Sequence, residues 1–260
     1  MNLRPEVAII CLYMKLSFVV PAHNEEAGIE SCLNSIFEEI KNSGVEAEVI
    51  VINNASSDRT HEVALSCGAK VVDENRKGIV WARQRGLEES CGELVANIDA
   101  DNHLPAGWIK NVLERFENDK EMVCYSGPFI YRDISPIGLI ITKVFYTIGL
   151  GLVKIFKIFG ADGGIVQGGN FVFRREVMLG AGGYDTSIKF YGEDTAVAMR
   201  LSPFGKIVFS SDLPISSSGR RMIEEGILIT GFKYAVNFVW ISLFKRPFNF
   251  RAQDIRHHNR

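Results

Sequence analysis

The chain has 260 residues, 47% of them hydrophobic, and its 29 Lys and Arg against 31 Asp and Glu leave a net charge of −2. That length and composition suit one large domain with an ample core. A charge so close to neutral excludes nucleic-acid binding driven by an overall cationic surface, because no excess of Lys and Arg exists to neutralise phosphates.

Residues 1–14 read as an extension outside the core: Met1 to Tyr13 has a single basic residue, Arg4, and a brief apolar patch too short to span a membrane, and Met14 is a second candidate start. Lys15 to Pro21 is a β-branched and aromatic run that predicts the first strand. A helix is expected from Asn24, with Glu25 and Glu26 in its first turn, Ile29, Leu33, Ile36, Phe37 and Ile40 on one face, and Gly44 at its end. Val49 to Ile52 is the second strand. The capping-rich loop Asn53 to Thr60, which includes Asp58, then feeds a helix to about Cys67, closed by Gly68. Lys70 to Val72, a helix over Gly78 to Ser90, the strand Leu94 to Ile98, a helix over Pro105 to Asn118 and the strand Met122 to Ser126 follow. Regular strand–helix alternation without hairpin signals predicts parallel strands with helices on both faces, the pattern of a nucleotide-binding half. Cys11, Cys32, Cys67, Cys91 and Cys124 show no CxxC pair or framework spacing, and reduced, mostly buried thiols are expected.

Ile134 to Phe159 is almost continuously apolar, broken by Lys143, Lys154 and Lys157, which fall within an arc of about 60° on a helix. Such a stripe suits a helix lying in a membrane interface, and equally a helix packed on the domain with its lysines in water. Gly168 to Arg174 returns to strand character, Gly180 to Tyr184 is a turn, Glu193-Asp194 opens a helix through Leu201, and Lys206 to Ser210 is a short strand. Gly226 to Phe244 reads as an amphipathic helix with Thr230, Lys233 and Asn237 at helical spacing and Lys245, Arg246 and Arg251 beyond. Lys245-Arg246 keeps a spanning reading open, while Lys233 and Asn237 oppose it. The expected division is 15–225 for the main domain and 226–260 for a basic amphipathic tail.

Chemistry concentrates at Asp99-Ala100-Asp101, where a buried strand ends in two carboxylates. Hard divalent cations are held by one or two carboxylates plus phosphate oxygens, so the pair suits a metal-bound diphosphate; it equally suits an acidic turn feeding a helix. Three further features stand in order around it: Pro21-Ala22-His23-Asn24-Glu25 after the first strand, Asn53 to Thr60 after the second, and Glu193-Asp194 at a late helix start.

Together these resemble the inverting, nucleotide-sugar-dependent glycosyltransferases usually called family 2, with the likeness running from Leu16 to Phe209 and Gly78, Ala82, Arg83, Gly86 and Gly92 placed as in relatives. The resemblance implies a GT-A type α/β fold, a Rossmann-like, mostly parallel sheet with helices on both faces, with C-terminal amphipathic helices added. It implies that Pro21, Ala22, His23 and Glu25 line the base pocket, His23 stacking where relatives often place tyrosine; alone, His23 reads as a loop histidine bound to backbone. Asn53 and Asn54 replace the two aspartates frequent in relatives, which loosens the preference for uridine because an amide both donates and accepts. Asp58 belongs to the same donor-binding set. Asp101 is implied as the ligand of Mg²⁺ or Mn²⁺, with Asp99 on the ribose or second to the ion. The late histidine ligand of many relatives has no counterpart between His103 and His257, so water or another group takes its place. Lys77 and Arg83 either assist the phosphates or are solvated helix charges. Glu193-Asp194 matches the family's acidic pair, Asp194 being the expected base; acids also favour a helix N-terminus for its own sake. The Gln-x-x-Arg-Trp motif of processive synthases is missing, and Ser216 to Arg221 stands where it would be, its arginines able to close over the diphosphate. Single-sugar transfer follows.

The expected function is therefore metal-dependent transfer of one sugar, with inversion, to a lipid-linked or cell-envelope acceptor at the cytoplasmic face of the membrane, with peripheral membrane contact and no nucleic acid. A nucleotidyltransferase on a related sheet and a nucleotide-sugar-binding protein without turnover are the alternatives, and the Glu193-Asp194 pair argues against both.

Overall fold

The structure is a computed structural model that describes residues 14–158, 164–188 and 192–244. Its centre is a seven-stranded sheet of order β3-β2-β1-β4-β7-β5-β8. The strands are β1 (Leu16–Ala22), β2 (Ala47–Asn53), β3 (Lys70–Asp73), β4 (Leu94–Ile98), β5 (Met122–Ser126), β7 (Asn170–Arg174) and β8 (Lys206–Phe209). β1, β2, β3 and β4 pair parallel, as do β5 and β8. β7 lies between β4 and β5 and runs against both, the one departure from the expected parallel order. Every residue of β1, β4 and β5 is buried, as strands covered on both faces require.

Helices α1 (Ile29–Ser43), α2 (Thr60–Ser66) and α4 (Trp108–Asn118) cover one face, and α3 (Ile79–Glu89), the short α6 (Arg175–Gly180) and α7 (Glu193–Leu201) the other. Each face has its own core. On the first, Leu33 and Ile36 of α1 pack with Phe18 and Trp108, whose rings lie 5.9 Å apart; on the second, Val19, Leu87, Phe171 and Phe173 meet Val197 and Leu201. Full burial of a side chain of this size contributes roughly 1.5–3 kcal/mol.

Two helices start later than their sequence suggests. Asn24 takes a left-handed φ of 53°, so Glu25 and Glu26 sit in a turn before α1 rather than in its first turn. α4 begins at Trp108, not Pro105, because the buried Glu39 of α1 accepts the N–H groups of Gly107 and Ile109 and fixes the start there. Unanticipated was a second, two-stranded sheet in which β6 (Phe129–Tyr131) pairs with β9 (Ile215–Ser217), tied to the β4 loop by the exchange of backbone hydrogen bonds between His103 and Ser216. Cys32, Cys67 and Cys124 are free thiols, whereas Cys91 is disulfide-bonded, contrary to the expectation of reduced thiols throughout.

Three more helices complete the described chain: the long α5 (Pro136–Ile158), the short α8 (Arg220–Glu225) and α9 (Ile227–Phe244). α9 packs against α5, α7 and α8. Its amphipathicity is turned inside out. Thr230 and Asn237 are buried at 1% exposure and Lys233 pairs with Glu225 of α8, while Leu228, Ile229 and Phe232 are more than half exposed. α5 likewise exposes Ile137, Ile140 and Val144. Lys143 is exposed too. The side chains of Lys154 and Lys157, and all of Lys245, Arg246 and Arg251, lie outside the described residues. No helix among the described residues is long and apolar enough to cross a membrane.

Candidate active site

The carboxyl ends of β1, β2 and β4 open into one cleft of about 1020 Å³, roofed by α5 and α9. Asp99 and Asp101 leave the end of β4 at its floor, and Glu193 and Asp194 enter from the first turn of α7. Pro21, Ala22, His23 and Glu25 face the cleft, together with Asn54, Lys77 and Arg83. Asn53 and Asp58 do not line it.

The loops that follow β1 and β2 are laced together through their polar side chains. Asn24 Oδ1 accepts the Ser57 N–H, Thr60 Oγ1 accepts the Glu25 N–H, and Asp58 Oδ2 accepts the Glu26 N–H. Asp58 Oδ1 also accepts the Thr60 hydroxyl, and these bonds hold the Asp58 carboxylate below its ordinary range against the opposing effect of burial. Asn53 donates to Asp73. Asn54 is committed to backbone, donating to the carbonyls of Glu74 and Arg76 and accepting the Gly78 N–H, and so shapes the turn into α3. The His23 ring donates from Nδ1 to the Asn54 carbonyl at 2.7 Å.

Arg83, only 2% exposed, links the two acidic pairs. From α3 it reaches Asp99 Oδ1 at 3.2 Å and Glu193 Oε2, and it lies over the Phe171 ring at 5.4 Å. Burial alone would lower its pKa, but the Glu193 and Asp99 carboxylates raise it, so it stays charged. Burial pushes the Glu193 carboxyl up to about 7, with Arg83 opposing and Asp194 adding. Asp194 is raised as well, chiefly by burial, while the N–H groups of Thr195 and Gly168 pull it back.

A second arginine, Arg220 at the start of α8, contacts Glu25 at 2.9 Å and Asp101 at 3.7 Å. It does not balance the charge: burial, then the neighbouring Asp99 and Glu25, push the Asp101 carboxyl up to about 7 despite Arg220. Asp99 thus faces Arg83, and Glu25 and Asp101 share Arg220, an acidic end of hard oxygen donors of the kind that divalent cations take. No group of three or more His, Cys, Asp or Glu among the described residues is placed to hold a metal ion.

Several positioning residues were not singled out from the sequence. Buried Asn102 donates to the Gly169 carbonyl, and buried Asn170 to the carbonyls of Gly127 and Leu213. They pin Gly168-Gly169 between the two acidic pairs. A Cβ on Gly168 would lie 2.9 Å from Glu193 Oε1, and one on Gly169 only 2.2 Å from the Asp99 carboxyl; Gly169 also has a φ of +82°. The signal that could have found them is the Gly-Gly-Asn sequence directly before a strand, where glycines mark close approach.

Residues 17–179 match the model of the glycosyl transferase family 2. Among curated proteins, the glucosyl-dolichyl phosphate glucuronosyltransferase of Haloferax volcanii is 27% identical over 93% of this chain and 78% of its own length. Among solved structures, a mannosyltransferase from Pyrobaculum calidifontis in complex with GDP-Man and Mn²⁺ superposes with a TM-score of 0.64 at 21% identity, covering 87% of this chain and 65% of that one. Glucosyl-3-phosphoglycerate synthase from Mycobacterium tuberculosis, in complex with Mn²⁺, UDP and glucosyl-3-phosphoglycerate, gives 0.61 at 20% identity, covering 93% of this chain and 86% of that one. At these identities the structures share the GT-A fold.

Proposed function

The chain belongs to glycosyl transferase family 2, and from that premise we propose that it moves one sugar, with inversion, from a nucleoside diphosphate sugar to an acceptor hydroxyl. The observation that carries this reading is the meeting of two acidic pairs across one cleft, bridged by the buried Arg83. The nucleotide end is supplied by Pro21, Ala22, His23 and Asn54, and Lys77 and Arg83 face the same space. Asn53 and Asp58 act on donor binding through the loops they brace.

Asp194 is the proposed base. Glu193 is ion-paired with Arg83, whereas Asp194 accepts hydrogen bonds from amides and the Thr195 hydroxyl and feels Arg83 only as a neighbouring charge, and burial raises its affinity for a proton. A base with a raised pKa takes the acceptor proton more readily near neutral pH. Asp101 and Asp99 would hold Mg²⁺ or Mn²⁺, which when bound supplies charge neutralisation to the departing diphosphate. Arg220 and Arg221 close the same end from α8.

The acceptor is proposed to be lipid-linked or part of an envelope glycan, with the protein lying on the inner face of the plasma membrane. The inverted amphipathicity of α9 supports this, because a helix that buries its polar stripe and shows Leu228, Ile229 and Phe232 outward suits an apolar surface. Co-sedimentation with anionic vesicles should fall sharply in a triple Ser variant of these three residues.

The direct test is a donor screen with UDP, GDP and dTDP sugars, scored by released nucleoside diphosphate with and without chelator and by the anomeric configuration of the product. Release of pyrophosphate would instead indicate nucleotidyl transfer, and binding without release a non-catalytic module.

A further inference from the structure

Beyond Asp194 the cleft continues beneath α5 and α9, whose inward faces contribute Thr142, Phe145, Tyr146, Thr230, Tyr234 and Asn237. At about 1020 Å³ the whole space matches the upper end of single-ligand pockets, leaving room beside a donor for a second molecule. The lining of this far end is distinctive. Among the described residues that α5 and α9 turn to the cleft none is charged; its cations, Lys77, Arg83, Arg220 and Arg221, come from other elements.

Hydroxyl and amide groups on aromatic walls take the place of charge. Tyr131 of β6 is hydrogen-bonded to the Tyr146 hydroxyl. Tyr146 donates to Gln167 Oε1 at 2.7 Å, accepts the Phe129 N–H at 3.2 Å, and stacks on Phe209 with ring centres 5.7 Å apart. Gln167 runs directly into Gly168, which abuts Glu193, so this chain of hydroxyls ends beside the acidic pair. Thr230 Oγ1, on a residue 1% exposed, has no hydrogen-bond partner among the described residues. A phosphate placed here would lose its hydration with no cation on α5 or α9 to replace it. A sugar ring, uncharged and hydroxylated at its edge with apolar C–H faces, is the matching ligand.

We propose that the compartment under α5 and α9 is the subsite for a neutral sugar residue of the acceptor, so that the enzyme lengthens an existing saccharide rather than placing the first sugar on a bare lipid phosphate. This rests on the glycosyl-transfer reading above. The acceptor hydroxyl oxygen bonds to the anomeric carbon, its proton passes to Asp194, and the bond between that carbon and the diphosphate oxygen breaks with the electron pair leaving on the nucleoside diphosphate. The acceptor must then come from an earlier transfer that has already glycosylated it.

The test is calorimetric titration of the whole protein, with Mn²⁺ and whichever of UDP, GDP or dTDP raises its Tm, using two kinds of probe that share one alkyl chain. One is a panel of octyl pyranosides of glucose, mannose, galactose and N-acetylglucosamine; the other is octyl phosphate, all below micellar concentration. Because the chain is common, binding to the exposed apolar helix faces cancels. At least one octyl pyranoside should bind tenfold or more tightly than octyl phosphate, and Thr230→Val, which removes the uncommitted hydroxyl, should weaken it about fivefold while leaving octyl phosphate and the nucleotide unchanged. Tighter binding of octyl phosphate, no binding of any pyranoside, or an equal effect of Thr230→Val on both probes would overturn the proposal. Failure of all three nucleotides to raise the Tm would instead overturn the underlying glycosyl-transfer reading.

Discussion

Two arginines in the cleft each bridge a pair of carboxylates, yet they are built differently. Arg83 sits inside a helix, 2% exposed, sandwiched between Asp99, Glu193 and the Phe171 ring. Arg220 stands at the first position of a six-residue helix, with 35% of its side chain exposed, and reaches Glu25 closely but Asp101 only at 3.7 Å. The first is part of the framework: removing it would strand two carboxylates with nowhere to go. The second is a loose counter-charge over the residues proposed to meet the metal, and it can yield when a cation and a diphosphate arrive.

Arg83→Leu should show the largest effect, a loss of about 3 kcal/mol or more in unfolding free energy measured with urea, together with loss of transfer. Asp194→Asn should lower turnover about a hundredfold or more while donor affinity, measured by titration, survives. Collapsed donor affinity with normal turnover would move the role of base to Glu193. Arg220→Gln should weaken donor binding about tenfold and cost less stability than Arg83→Leu, because Arg220 is 35% exposed even though its partner Glu25 is buried; a stability loss equal to that of Arg83→Leu would erase the distinction between the two clusters. Asp101→Ala belongs to the loose cluster as well, and should weaken donor binding mainly when Mn²⁺ or Mg²⁺ is present, without destabilising the fold.

The smallest effect is on pH dependence. Glu193 has its folded pKa raised, chiefly by burial, from 4.5 to about 7, so between those values the native state holds more of a proton than the unfolded chain. Its contribution to stability therefore grows as pH falls from about 7 towards 4.5 and is lost as pH rises through that window. Thermal melts at pH 5.5 and 7.5 should differ less in Glu193→Gln than in the parent protein. An unchanged or steeper difference would mean that Arg83 keeps Glu193 ionised throughout.

Periodicity made the parallel part of the sheet legible, with β4 and β5 at their observed bounds, because buried strands between capped helices leave a strong local pattern. What escaped was non-local. Nothing near Gly168-Gly169-Asn170 announces that β7 inserts antiparallel beside β4, and three-residue strands such as β6 and β9 are too short to show alternation. The late starts of α1 and α4 depend on partners distant in sequence, Ser57 and Asp58 for one and Glu39 for the other. The acidic pairs could be found because each is local, whereas the Arg220–Glu25 bridge joins the two ends of the domain.

The position of β7 also bears on how the chain reaches its native state. β4 and β5 are joined only through a strand that follows both of them and the whole of α5, so any chain ending before Arg174 presents β4 as an open edge and leaves β5 without its neighbour. Closing the centre of the sheet is then a late, long-range event, the kind that slows folding and exposes unpaired strands to other copies of the chain. Nascent or truncated forms should be aggregation-prone until β7 docks, and the step that docks it also brings Gly168 and Gly169 against the two acidic pairs. Closure of the sheet's centre and the seating of Gly168 and Gly169 at the acidic end of the cleft are thus one folding event.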